Sequence, residues 1–202
     1  RDRYYSAGID GLNGRADFAN ADSPGDRFAA LGVELAPWRA LNDAPVLLIG
    51  QVPHDAAVQH TDHVAWLASM TNIIQKLPQF SAVRFRPHPL GYAHTPLIFG
   101  TENSTRSLAD DLAECSCVVT FNSNVGVDAA LAGVPVAVFD CGSMLWNYAP
   151  RTLAGTPAAL TAAPHWNRRQ WARDLAYTQW TLDEMSSGAT WQHLRAAVGR
   201  TT

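Results

Sequence analysis

The sequence predicts an α/β fold: a Rossmann-like, doubly wound parallel sheet followed by C-terminal helices. Three features carry that prediction. Four segments have the length and residue types of strands, stretches of helical character separate them, and Gly, Pro, Asn or Ser punctuate the junctions. Strands that alternate with helices at this spacing imply β-α-β units with right-handed crossovers.

Residues 1–45 read as an irregular lead-in, rich in Gly, Asp, Asn and Pro with no sustained apolar period. Gly8, Gly11 and Gly14 lack the strand before and helix after that a dinucleotide fingerprint needs. Ser23-Pro24-Gly25-Asp26 is a turn that opens a short helix through Arg27–Leu31. The sheet domain is expected over 46–165. Val46-Leu47-Leu48-Ile49, ended by Gly50, is a strand buried on both faces. Thr61 then caps a helix whose apolar positions run from Val64 to Leu77, with Pro78 as its stop. Residues 82–86 form the second strand, and Pro87-His88-Pro89 ends its ladder. Pro96-Leu97-Ile98-Phe99 is a candidate short edge strand, and Ser107 opens a helix through Glu114. Residues 117–121 make the third confident strand, Val125–Ala132 a small-residue helix closed by Gly133, and 135–139 the fourth. Residues 166–202 read as a C-terminal helical tail whose tryptophans pack back on the sheet.

Composition narrows the function. The chain has 202 residues, 47% hydrophobic and 16% charged, and a net charge of −3, which gives a folded globule with no field to hold a polyanion. Lys76 is the only lysine, so any anion grip falls to arginine. No run approaches the about 18–20 apolar residues of a membrane span. Cys115, Cys117 and Cys141 cannot all pair and lack zinc spacing; buried reduced thiols fit a cytoplasmic setting. His60 and His63 flank Asp62 with no further ligand at a sensible spacing, so they read as surface histidines, and no metal is expected. The first residue is Arg1 rather than methionine, consistent with a piece of a longer protein.

In an open parallel sheet, ligands bind beyond the carboxyl ends of the strands. Here the first strand runs into Gln51 and His54-Asp55, the second into Arg86-Pro87-His88-Pro89, the third into Asn122-Ser123-Asn124 and Gly126, and the fourth into Asp140-Cys141-Gly142-Ser143. Asn122, Ser123 and Asn124 offer polar side chains ahead of a helix start, Gly126 permits close backbone approach, and the helix dipole favours a phosphate. The same residue types also serve as ordinary caps. Asp128, one turn on, suits ribose hydroxyls or the helix end itself. His54 and Asp55 follow the first strand to the same edge and are candidate ligand contacts. His88 is fixed between two prolines, with Arg86 two positions back on the same side of the pleat, close enough to share an anion.

Arg86-Pro87-His88-Pro89 resembles the HP motif, and residues 121–136, from Phe121-Asn122-Ser123-Asn124 to Gly133-Val134-Pro135-Val136, resemble the serine motif of GT-B-type glycosyltransferases. The likeness is to the capsule polysaccharide (Kdo transferase-like) and bacterial sialyltransferase-like groups, and it covers about residues 46–140. It implies one half of a GT-B fold, in which the histidine and the serine bind the phosphate of a nucleotide sugar. His88 is then the catalytic residue, and Gln51, Asp55, Arg86, Asn122, Ser123, Asn124, Gly126 and Asp128 bind the donor. The donor is a substrate, and no cofactor is implied. The expected reaction is an inverting, metal-independent sugar transfer in polysaccharide biosynthesis. The acceptor stays open among glycan, lipid and modified nucleic acid. GT-B enzymes bring the acceptor site and an acidic base on an N-terminal domain that residues 1–45 cannot build, so that partner domain is expected outside this chain. Ile9-Asp10-Gly11 matches only half of the base motif, and the base role is not carried onto Asp10. A nucleotide-sugar epimerase or hydrolase, or a non-catalytic Rossmann-like binding module, are the alternatives.

Overall fold

A computed structural model describes residues 3–53, 55–90, 98–151 and 166–198. In chain order the elements begin with β1 (Tyr5–Ser6), α1 (Asp26–Ala30), β2 (Val46–Ile49), α2 (His63–Ile74), β3 (Val83–Arg86), β4 (Glu102–Asn103) and α3 (Leu108–Glu114). They continue with β5 (Cys117–Thr120), α4 (Val125–Leu131), β6 (Val136–Val138), α5 (Arg168–Ala176), β7 (Gln179–Trp180), α6 (Leu182–Ser186) and α7 (Ala189–Val198). The chain divides into two compact units, residues up to 34 with those from 166 onward, and residues 35–165.

The second unit holds a five-stranded parallel sheet in the order β4-β3-β2-β5-β6. The chain moves outward from β2 to β4 on one side, returns to β5 on the other side of β2, and continues to β6. This is a Rossmann-like doubly wound sheet, and its order reverses between β2 and β5. All four residues of β2 and of β5 are buried, as continuous apolar runs require in a sheet covered on both faces. Against them α2 packs Trp66, Leu67, Met70 and Ile74, which join Val46, Leu48, Phe85, Val119 and Phe121 in one core. Gly133 ends α4 at φ +75°, and a Cβ there would meet the Pro37 carbonyl oxygen at 2.0 Å.

Several expectations shift. The cap of α2 is Asp62, whose carboxylate accepts from the Ala65 N–H at 2.9 Å, and not Thr61. Leu77 lies past the end of α2 yet is buried, held by a turn. The sheet's edge is β4, paired with Arg84 and Phe85; Ile98 and Phe99 form no strand, and Pro96 and Leu97 lie outside the described residues. The lead-in is not wholly irregular. In the first unit β1 pairs antiparallel with β7, and Ile9 bridges Asp17. Arg27 joins α1 to the C-terminal residues there: it pairs with Glu184 at 2.5 Å, donates to the Gln179 carbonyl and lies 4.2 Å over the Trp180 ring. Trp171 and Trp180 are buried, while Trp191 is exposed.

Candidate functional site at the carboxyl edge of the sheet

Register defines the site. Ile49 stands opposite both Arg86 and Thr120, and Thr120 opposite Val138. Two residues further along each chain come His88, Gln51, Asn122 and Asp140, in that order across four adjacent strands. Neighbouring strands lie about 4.8 Å apart, so the strand ends that lead to His88 and Asn122, Arg86 and Thr120, stand about 10 Å apart with Ile49 of β2 between them. The β2/β5 reversal, where α/β sheets receive ligands, falls between Gln51 and Asn122.

These loop ends are bonded to one another. Gln51 Nε2 donates to Asn122 Oδ1 at 2.7 Å, and the Asn122 N–H donates back to Gln51 Oε1 at 3.3 Å. Asn122 Nδ2 donates to the Ala57 carbonyl and to Asp140 Oδ1, both at 2.8 Å. Asp140 Oδ1 also accepts from the Gly142 N–H, and its Oδ2 lies 3.2 Å from His60 Nε2. Gln51 and Asn122 are only 8% and 7% exposed. Both hydrogens of the Asn122 amide are engaged, and the two side chains brace the loops against one another.

His63 is buried rather than on the surface. Its Nε2 accepts from the Gln51 N–H at 3.2 Å, and its ring stacks on Trp66 at 5.4 Å and meets the Phe121 ring edge-on. Burial pushes its pKa down from 6.5 to about 4, against the pull of Asp62, so the ring is neutral at pH 7. Its Nδ1 is buried with no hydrogen-bond partner among the described residues. His60 and Asp140 complete a network that local spacing did not reveal.

At the end of β3, His88 is partly exposed and its Nδ1 accepts from the Leu90 N–H at 3.2 Å. A neutral ring that accepts at Nδ1 carries its proton on Nε2, which therefore stands as a donor. Arg86 does not lie loose beside it: Nη1 donates to Asp111 Oδ2 at 2.6 Å and to the Arg106 carbonyl at 2.8 Å.

The turn after β5 uses most of its own amides. The Ser123 N–H donates to Thr120 Oγ1, Val125 N–H to Ser123 Oγ, Gly126 N–H to the Ser123 carbonyl, and the Val127 and Asp128 N–H groups to the Asn124 carbonyl. The Asn124 side chain is exposed and makes no cap bond, and the Ser123 hydroxyl keeps its own hydrogen to donate. Gly126 is close-packed for a reason other than a ligand: a Cβ would lie 2.8 Å from Leu145 Cδ1 and 3.3 Å from Thr120 Cγ2, so the glycine lets α4 lie against the sheet. Asp128 is exposed in the first turn of α4. Asp55 is exposed and accepts from the Ala57 N–H at 2.8 Å, shaping the turn ahead of α2, and His54 lies outside the described residues.

Among the described residues no group of His, Cys, Asp and Glu is arranged to hold a metal ion, and no helix is long and apolar enough to cross a membrane. Cys115 and Cys117 are buried free thiols; burial raises the Cys115 thiol to about 11 and that of Cys117 further.

No family model and no curated protein matches the sequence. Among solved structures the chain is similar to Thermosulfurimonas dismutans KpsC, beta Kdo 2,7 transferase, at 15% identity over 93% of this chain and 71% of that chain, with a TM-score of 0.48. It is also similar to Thermosulfurimonas dismutans KpsC, beta Kdo 2,4 transferase, at 12% identity over 93% of this chain and 78% of that chain, with a TM-score of 0.47.

Proposed function

We propose that this chain is the donor-binding half of a glycosyltransferase that moves a sugar from a nucleotide sugar to an acceptor by an inverting, metal-independent reaction. The observation that carries the reading is the pairing of two donors at one sheet edge. The Nε2–H of His88 and the hydroxyl of Ser123 flank the β2/β5 reversal, and both fall in the motifs that resemble the HP and serine motifs. In such a transfer the acceptor oxygen attacks the anomeric carbon and the bond to the donor phosphate breaks. The phosphate leaves with the electron pair, and its growing negative charge is what fixed N–H and O–H donors stabilise. His88 supplies an N–H from a rigid Pro-His-Pro backbone, Ser123 supplies an O–H, and the start of α4 adds a favourable dipole. On this reading Gln51 and Asn122 hold the two loops in place. Asn124, Asp128 and Asp55 are exposed polar groups of the same loops and would meet the nucleotide. The acceptor site and its base belong to a further domain. The unpaired thiols support a cytoplasmic setting, and the motif resemblance supports a role in polysaccharide biosynthesis.

Calorimetric titration with CMP-, UDP- and GDP-sugars tests the reading: one nucleotide class should bind. Transfer by the enzyme that carries this domain should fall about 100-fold or more in His88→Ala. Silence of the folded protein across the whole panel overturns donor binding, and release of free sugar or its epimer without acceptor favours a hydrolase or epimerase instead.

A further inference from the structure

We infer that Asp111 and Ser104 are positioning residues that hold Arg86 as a fork for a phosphate group of the donor. The inference rests on the donor-binding reading above. Residues 84 and 86 of β3 share one face of the sheet, and both arginines reach Asp111 of α3, which is fully buried. Asp111 Oδ2 accepts from Arg86 Nη1 and from Ser104 Oγ, each at 2.6 Å. Asp111 Oδ1 stands 3.7 Å from Arg84 Nη1 and is buried without a hydrogen bond to any of the described residues.

The arrangement around Arg86 is one-sided. Its Nη1 makes both of its bonds, to Asp111 Oδ2 and to the Arg106 carbonyl, while Nε and Nη2 donate to none of the described residues. Arginine–carboxylate pairs are frequently fork to fork, through two parallel N–H···O bonds. Here one carboxylate oxygen goes without such a bond while two guanidinium nitrogens stay unused. Arg84 differs: its side chain is 10% exposed, and Glu102 and Glu114 flank it as well as Asp111. The Arg86 side chain is 19% exposed and sits at the carboxyl end of its strand, two residues before His88. Ser104 adds a second tether, because its Oγ also accepts from the Arg106 N–H at 3.2 Å and so fixes the loop whose carbonyl holds Arg86.

A guanidinium with one nitrogen anchored and its Nε–Nη2 edge unused matches a centre that carries two anionic oxygens, which in a nucleotide sugar is a phosphate. Anchoring settles the rotamers of a long side chain before the ligand arrives and removes that ordering cost from binding.

The test is calorimetry with UDP, CMP and GDP on the wild-type chain and on Arg86→Gln, Ser104→Ala, Asp111→Asn and the Arg86→Gln/Ser104→Ala double variant, with thermal melts as the control for folding. Arg86→Gln should weaken the bound nucleotide about tenfold or more, and Ser104→Ala about threefold to tenfold. The double variant should bind no more weakly than Arg86→Gln alone, because Ser104 acts only through that arginine. A purely structural role would lower the melting temperature in both backgrounds without this pattern of affinities. Asp111→Asn should lose at least as much as Ser104→Ala if it folds, and Ser104→Ala decides the matter if it does not. Unchanged affinity in Arg86→Gln or in Ser104→Ala, or losses that multiply in the double variant, overturns the inference and leaves donor binding standing. A wild-type chain that binds none of the three nucleotides overturns the donor reading itself.

Discussion

His63 links the candidate site to the core, since it accepts from the Gln51 backbone while its ring packs between Trp66 and Phe121. Its folded pKa of about 4 lies below the ordinary 6.5, so between these values the unfolded chain binds the proton and the folded one does not. Stability is therefore whole above about pH 6.5 and declines as pH falls toward 4, by up to about 3 kcal/mol. Urea denaturation at pH 8, 6 and 5 should show this decline, and His63→Phe should flatten that part of the curve; an unchanged slope in the variant would refute the assignment. His63 was within reach of the sequence. It stands three, four, seven and eleven positions before Trp66, Leu67, Met70 and Ile74, the stripe that α2 buries. His60 and Asp140 were not, because their contact joins residues far apart in the chain. His88 and Ser123 could be placed on one edge from topology alone, whereas the attachment of Arg86 to Asp111 depends on where α3 packs.

Among the elements, α2 shows how local signals set a boundary. Thr61 and Asp62 are both capping residue types, and only the carboxylate that reaches the Ala65 N–H closes the first turn. Asp62→Ala should cost about 1 kcal/mol of unfolding free energy, while Thr61→Val should change it little; equal losses in chemical denaturation would show that both residues share the cap. The strands β2, β5 and β6 were legible because buried parallel strands must be apolar throughout or nearly so, and β3, Val-Arg-Phe-Arg, by its alternation of apolar and charged residues ahead of Pro87. By contrast, β4 is Glu102-Asn103, a pair with no apolar pattern whose extended form comes from its ladder to Arg84 and Phe85. A similar dependence on distant partners appears at the end of α3. There Arg39 donates to the Leu112, Ala113 and Cys115 carbonyls and so serves groups that the helix leaves unbonded.

For the molecule as a whole, the division into units cuts across the order of the sequence. Residues before 35 and after 165 form one unit, tied by the β1–β7 ladder, by Arg27 to Glu184 and Gln179, by the Ser23 N–H to the Asp174 carboxylate, and by His193 to the Phe18 carbonyl. Neither β1 nor β7 exceeds two residues, so nothing local in the sequence announced their pairing. Native-state hydrogen exchange should find the amides of Ala7, Ile9 and Asp17 opening together with those of Tyr177 and Thr178, as one cooperative group. Arg27→Ala should lower protection at both ends of the chain in step; loss at one end alone would show that the two segments hold their structure separately. The sheet unit, in turn, is a single uninterrupted stretch from 35 to 165. It can be excised or exchanged as a cassette with one cut at each border, whereas the other unit can be made by itself only after its two lengths of chain are spliced through a new linker.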